Sequence, residues 1–170
     1  MSWHSSGILI QTRSFPGETC LLGLLGFPGA MEIGPIDFDT ATSIGVLDAL
    51  EGGLGAAVAR VGDWTSIWGP LLVSDPDAVS RLSESGVALT LMLEGTSGMA
   101  GFEWYRDGGL LRRWSAQEGT VIEDEGEPLP EEAEAPSRDD EGRVLFLLER
   151  LVLPLEDLSD ALYTLYRFPD

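Results

Sequence analysis

Apolar and polar positions alternate along much of the first two thirds of the chain, so the sequence predicts strands more often than helices there. Gly7 to Arg13 alternates loosely around Ile8 and Ile10, which predicts a strand, and Ser14-Phe15-Pro16-Gly17 is a turn signal. Thr19 to Phe27 fits either a strand or an apolar helical turn. Gly29 to Pro35 reads as loop, with a short strand over Ile33 to Phe38. Asp39 is an N-cap for a helix over Thr40 to Glu51, with Ile44, Leu47 and Leu50 at helical spacing and Gly52-Gly53 as its stop. Gly55 to Val61 and Trp64 to Trp68 form a hairpin about Gly62-Asp63. Its second strand points Trp64, Ser66 and Trp68 one way and Thr65 and Ile67 the other.

Ser74-Asp75-Pro76-Asp77 starts a helix, with a capping oxygen, a proline in the first turn and acids at the positive end of the dipole. Ala78, Val79 and Leu82 are its apolar face. Val87 to Leu93, Met99 to Arg106 and Leu110 to Ser115 then read as an antiparallel meander, turning at Gly95-Thr96-Ser97-Gly98 and at Asp107-Gly108-Gly109. Thr120 to Glu123 adds a short final strand.

The pattern then changes. Glu118 to Glu141 holds eleven acids against one base, Arg138, and the prolines Pro128, Pro130 and Pro136. That composition predicts an extended or mobile acidic loop over residues 118–139. Asp139 or Asp140 caps a helix to Leu151 with Val144, Leu147, Leu148 and Leu151 on one side. After Pro154, a second amphipathic helix is predicted over Leu155 to Tyr166, on the spacing of Leu155, Leu158, Leu162 and Leu165. Together these elements predict one α+β domain over residues 1–170. Residues 7–117 are mainly sheet, with about five to seven antiparallel strands, and residues 140–168 are a C-terminal helical pair packed with the other helices on one face.

Composition narrows the chemistry. With 170 residues and 44% apolar content the chain can bury a core. A net charge of −19 opposes nucleic acid and anionic membrane surfaces and favours a basic protein partner. All ten basic residues are arginine, and both lysine and asparagine are absent, a bias expected of a GC-rich bacterial genome. Lysine-dependent chemistry is therefore ruled out. Cys20 is the single cysteine, expected to be a buried inert thiol, and His4 the single histidine. An internal disulfide is impossible, and a histidine-based triad or zinc site lacks support. With neither a signal peptide nor a membrane-length apolar run in the sequence, the expectation is a cytoplasmic protein without cofactor.

Candidate motifs have simpler explanations. Asp37-Phe38-Asp39-Thr40-Ala41 has the two aspartates of an aspartyl-phosphate loop but lacks the preceding apolar strand, the fifth-position residue and the supporting lysine. The glycines of Gly23 to Gly29 match no phosphate-binding spacing. Asp37, Asp39, Glu94, Glu103 and Asp107 would serve a carboxylate-only enzyme if two of them converged in a cleft, and the acidic run lacks calcium-loop spacing. Trp64, Trp68 and Trp104 are read as core, with an aromatic ligand pocket as the alternative.

Two stretches carry a resemblance. Arg60-Val61-Gly62-Asp63-Trp64-Thr65, the helix end Arg81-Leu82-Ser83 and Phe102-Glu103-Trp104-Tyr105-Arg106-Asp107-Gly108 resemble a family of uncharacterised actinobacterial domains. Gly126-Glu127-Pro128-Leu129-Pro130-Glu131-Glu132 recurs in small bacterial proteins of this style. The resemblance covers roughly residues 58–115 and departs from the family at Trp104 and in the N-terminal third. It implies a place in bacterial conflict or defence, as an immunity-type or accessory protein, and carries over no catalytic residues. The expectation is a non-enzymatic interaction domain that binds a basic protein, such as a toxin or nuclease. Its contacts would be Glu123, Asp124, Glu125, Glu127, Glu131, Glu132 and Glu134, together with Trp68, Trp104 and Trp114.

Overall fold

The computed structural model describes residues 4–14, 16–44, 54–69 and 75–169. In chain order the elements are β1 (His4–Thr12), α1 (Glu18–Leu24), β2 (Met31–Ile36), α2 (Phe38–Ala41), β3 (Gly55–Val61), β4 (Trp64–Gly69) and α3 (Pro76–Leu82). There follow β5 (Gly86–Glu94), β6 (Met99–Arg106), β7 (Gly109–Gln117), β8 (Thr120–Glu125), a 3₁₀ turn (Pro130–Glu134), α4 (Asp140–Leu151), α5 (Leu155–Ser159) and β9 (Tyr163–Arg167). The architecture is α+β, and all nine strands join one antiparallel sheet in the order β2-β9-β3-β4-β1-β5-β6-β7-β8. This exceeds the expected five to seven strands: the short strands foreseen near residues 33–38 and 120–123 form the two edges, β2 and β8, and β9 is added where a helix was expected.

Helices cover both faces, which corrects the expectation of one covered face. On the first face α2, α4 and α5 meet Leu9, Trp68, Leu89, Phe102, Trp104 and Tyr163. On the second face α1 and α3 cover Ile8, Ile10, Val58, Ile67, Tyr105 and Tyr166. Period-two alternation decides this: in β1, Leu9 serves one core and Ile8 and Ile10 the other. Such strands read as continuous apolar runs because both sides are buried.

Local chemistry sets the helix ends. Asp37, not Asp39, caps α2, accepting from the Thr40 amide at 2.8 Å. This cap holds the Asp37 carboxyl below its ordinary range, chiefly through its bonds with Thr40. The expected continuation of this helix beyond residue 44 lies outside the described residues. Asp75 caps α3 at 3.1 Å and Asp139 caps α4 at 2.9 Å. α1 resolves the ambiguity at residues 19–27 as helix: it buries Leu21 and Leu22 and leaves Cys20 exposed, against the expected buried thiol.

The predicted second C-terminal helix is corrected as well. It stops at Ser159, Leu162 is 71% exposed, and the chain re-enters the sheet as β9 between β2 and β3. Leucines three or four apart fit a helix, but Tyr163-Thr164-Leu165-Tyr166 is aromatic and β-branched sequence that suits a pleated, buried position.

Trp68 shows how tightly the first face is packed. It is fully buried, and Gly7 lies beside it on β1, paired with it in register. A Cβ at Gly7 would come within 2.7 Å of the indole ring. Gly7→Ala should therefore cost about 1–3 kcal/mol through overpacking, seen as a lower urea midpoint at unchanged slope. An unchanged midpoint would mean that the indole can move aside.

Candidate functional site

The expected acidic loop is in large part folded. Glu118 and Gly119, both at positive φ (50° and 79°), turn the chain back after β7, as the two central residues of a tight hairpin do. Thr120 to Glu125 then pairs with β7 as the last strand of the sheet, with all six residues exposed. Pro130 to Glu134 forms the 3₁₀ turn that follows.

One buried arginine holds this segment to the sheet. Arg112, on β7, exposes only 2% of its side chain. Its Nε and Nη2 donate to both oxygens of Glu132, at 2.8 and 3.1 Å, the two-pronged geometry that guanidinium and carboxylate share. Its Nη1 donates to Asp124 at 2.5 Å and to the carbonyls of Glu125 and Gly126 at 3.1 and 3.2 Å. Glu132 also accepts from Arg143 Nη2 at 2.7 Å and from the Leu129 amide at 2.9 Å. Burial raises the Glu132 pKa, but the bonds from Arg112, Leu129 and Arg143 outweigh it and hold the carboxyl below its ordinary range. Gly126 must be glycine: its φ is +84°, and a Cβ would stand 2.1 Å from the Leu111 carbonyl oxygen.

These bonds sort the expected contact residues. Glu132 is 7% exposed and belongs to the interior. Asp124 pairs with Arg112, Glu125 with Arg113 at 3.1 Å, and Glu134 with Arg150 at 2.7 Å, although all three lie at the surface. Glu123 is exposed and accepts from Ser115 at 3.0 Å. Glu127 is exposed and Glu131 half-buried, and among the described residues neither pairs with an arginine. The solvent-facing carboxylates therefore stand on a folded surface rather than a mobile arm.

Trp68, Trp104 and Trp114 do not reach that surface. They are 0%, 5% and 5% exposed, and Arg143 lies over the Trp114 ring at 4.7 Å. Trp68 donates its indole N–H to Ser66 Oγ at 2.9 Å, and Phe38 meets it edge-on at 5.8 Å. Their burial corrects their assignment as contact residues and agrees with the reading of Trp64, Trp68 and Trp104 as core. Trp64 is itself only 7% exposed.

A feature that sequence reasoning missed lies on the second face of β5 to β8, beyond the cover of α1 and α3. A cleft of about 190 Å³ opens there, and Thr90, Met92, Gly101, Glu103, Arg113 and Ser115 line it. Glu103 accepts from Tyr105 at 2.7 Å and from Arg113 Nε at 2.8 Å. Burial, then the bond to Glu103, pushes the Tyr105 phenol well above its ordinary pKa. The cleft's polar groups Thr90, Glu103 and Arg113 are bonded to one another through Glu103. The sequence signal was polar residues at alternate positions facing one another across β5, β6 and β7, in the register Thr90–Glu103–Arg113.

Glu94 and Glu103, two carboxylates of the enzyme alternative, lie apart on the sheet. Glu94 pairs in register with Met99 and Glu103 with Thr90, so four residues, about 13 Å, separate them along β5. Asp37 is occupied as a helix cap, and Asp107 sits in the β6–β7 turn at φ 49°. Among the described residues no cluster of acids, cysteines or histidines is arranged to hold a metal, and no helix is long and apolar enough to cross a membrane. No family model, no curated protein and no solved structure matches the chain.

Proposed function

We propose that this chain is a non-enzymatic, cytoplasmic interaction domain that binds a basic protein through the acidic surface running from β8 through the 3₁₀ turn. The supporting observation is that Arg112 and Glu132 fix a carboxylate-rich segment in one conformation, so little ordering entropy remains to be lost on binding. The net charge of −19 would steer a basic partner in from a distance. The resemblance to domains of bacterial conflict loci favours an immunity-type or accessory role, with a toxin or nuclease as a partner of suitable charge.

Pull-down from the native host at low salt, followed by elution with increasing salt, tests this reading. The Debye length falls from about 10 Å at 0.1 M to about 3 Å at 1 M, so affinity should drop steeply over that range. The triple substitution Glu123→Gln, Glu127→Gln and Glu131→Gln should weaken the same complex without unfolding the protein. Binding that ignores both salt and these substitutions would contradict the proposal.

The cleft beside Gly101 supports a second reading, a small-ligand site. A ligand there would shift the amide resonances of Thr90, Gly101 and Ser115 and leave those of residues 127–134 unmoved.

A further inference from the structure

The sheet has two edges, and they are built differently. The β2 edge is interrupted: its register with β9 shifts between Glu32 and Gly34, and Pro35 follows, which has no amide hydrogen to offer a neighbour. The β8 edge also carries a register shift, against β7 between Val121 and Glu123, but it contains no proline, pairs regularly from Glu123 to Glu125, and is exposed throughout Thr120 to Glu125. Among the described residues β8 is last in the sheet order and bonded as a strand on its β7 side alone, and Arg112 grips its end at Asp124 and Glu125. An outer edge of this kind presents backbone donors and acceptors to any extended chain that reaches it.

From this open edge we infer that the basic partner of the proposed function engages it by adding an extended segment as a tenth strand alongside β8. The inference rests on that functional reading and specifies its mode. Charge selects the occupant. Glu123 and Glu125 project from one side of β8 and Asp124 from the other, while Glu118 and Glu127 flank the strand. A segment with arginine or lysine at alternate positions would set its cations against Glu123 and Glu125. Val121 and Ile122, 52% and 51% exposed, offer apolar contact at the strand's start. A second copy of this chain is a poor occupant, because two β8 edges would bring like charges together between molecules that each carry −19.

The test uses the full chain and a synthetic ten-residue peptide of alternating arginine and valine, capped at both ends. A second peptide of identical sequence is N-methylated at every other residue, which keeps the charge but removes backbone donors. The expected result is slowed amide exchange at residues 120–125 with the first peptide and at least tenfold weaker binding of the second. Equal binding of both peptides without protection of residues 120–125 would overturn strand addition while leaving the charge-driven reading standing. Failure of both peptides to bind at low salt would also overturn strand addition, and the pull-down would still decide the broader proposal. Loss of binding in Glu123→Arg with native-like amide shifts elsewhere would support the edge. Concentration-dependent dimerisation with protection at residues 120–125 would overturn the choice of occupant.

Discussion

Replacing Arg112 with methionine should destabilise the protein by about 3–5 kcal/mol, because it leaves the Glu132 carboxylate buried with much of its compensation gone. The loss has a physical sequence. The two Glu132 oxygens lose their paired donors, Asp124 loses its partner, and the carbonyls of Glu125 and Gly126 lose an N–H. Arg143 still reaches one Glu132 oxygen, so Glu132 is not wholly abandoned. Converting Glu132 to leucine in the same molecule removes the stranded charge and should restore about 1–3 kcal/mol, the size of coupling expected between residues in one network. Urea denaturation of the two single variants and the double variant measures this. Additive losses would show that the bonds between Arg112 and Glu132 contribute nothing beyond their separate packing.

The same pair sets a pH dependence. The folded-state pKa of Glu132 lies below its ordinary value of 4.5, so it contributes stability that is fully present above that pH. That contribution is lost as the pH falls through the lower, folded value. In Arg112→Met the main opposing bond is gone while burial remains, so the carboxyl pKa moves up from its folded value in the intact protein. The penalty of the substitution should then be smaller at pH 4 than at pH 7, since a protonated Glu132 needs no cation.

Trp68→Ala is the second large effect, at about 3–5 kcal/mol, the range for emptying a buried aromatic site. Trp68 is 0% exposed and touches Phe38 at 5.8 Å between ring centres, and Gly7 lies against its ring. Truncation would leave a cavity and leave Ser66 Oγ without the indole donor it now accepts, with the Tyr163 hydroxyl still 3.1 Å away. If Trp68 served recognition instead, the substitution would change binding and spare the urea midpoint.

The hairpins and the meander were legible because their signals are local. Asp107-Gly108 supplies the two positive-φ positions (49° and 80°) that a tight hairpin needs, and β5 to β7 form the expected meander with one register shift, between Trp104 and Tyr105. What escaped reading depended on distant partners. β9 pairs with β3 in the register Ala57 to Leu165, and nothing near Leu165 announces Ala57. The acidic segment was misread for a related reason. Eleven acids within residues 118–141 suggest disorder only while Arg112 is taken for a surface residue. Arg112 lies between Leu111 and Arg113 on a strand whose next inward position is Trp114, so its alternation already pointed to the interior. The Glu118-Gly119 turn was a second available signal, weaker than Asn-Gly or Asp-Gly but of the same kind. Helices on both faces were hidden because buried strands lose their polar alternate positions.

Amide hydrogen exchange across residues 118–134, at neutral pH and without partner, tests most directly whether the acidic segment is a held surface. Alternate residues of β8 should be protected through their bonds to β7. The Leu129 and Glu132 amides, which donate to the Glu132 carboxylate and to the Leu129 carbonyl, should be protected with them. Protection in both places should collapse together in Arg112→Met. Exchange at the free-peptide rate throughout residues 118–134 of the unaltered protein would contradict the account and return the segment to a mobile acidic arm.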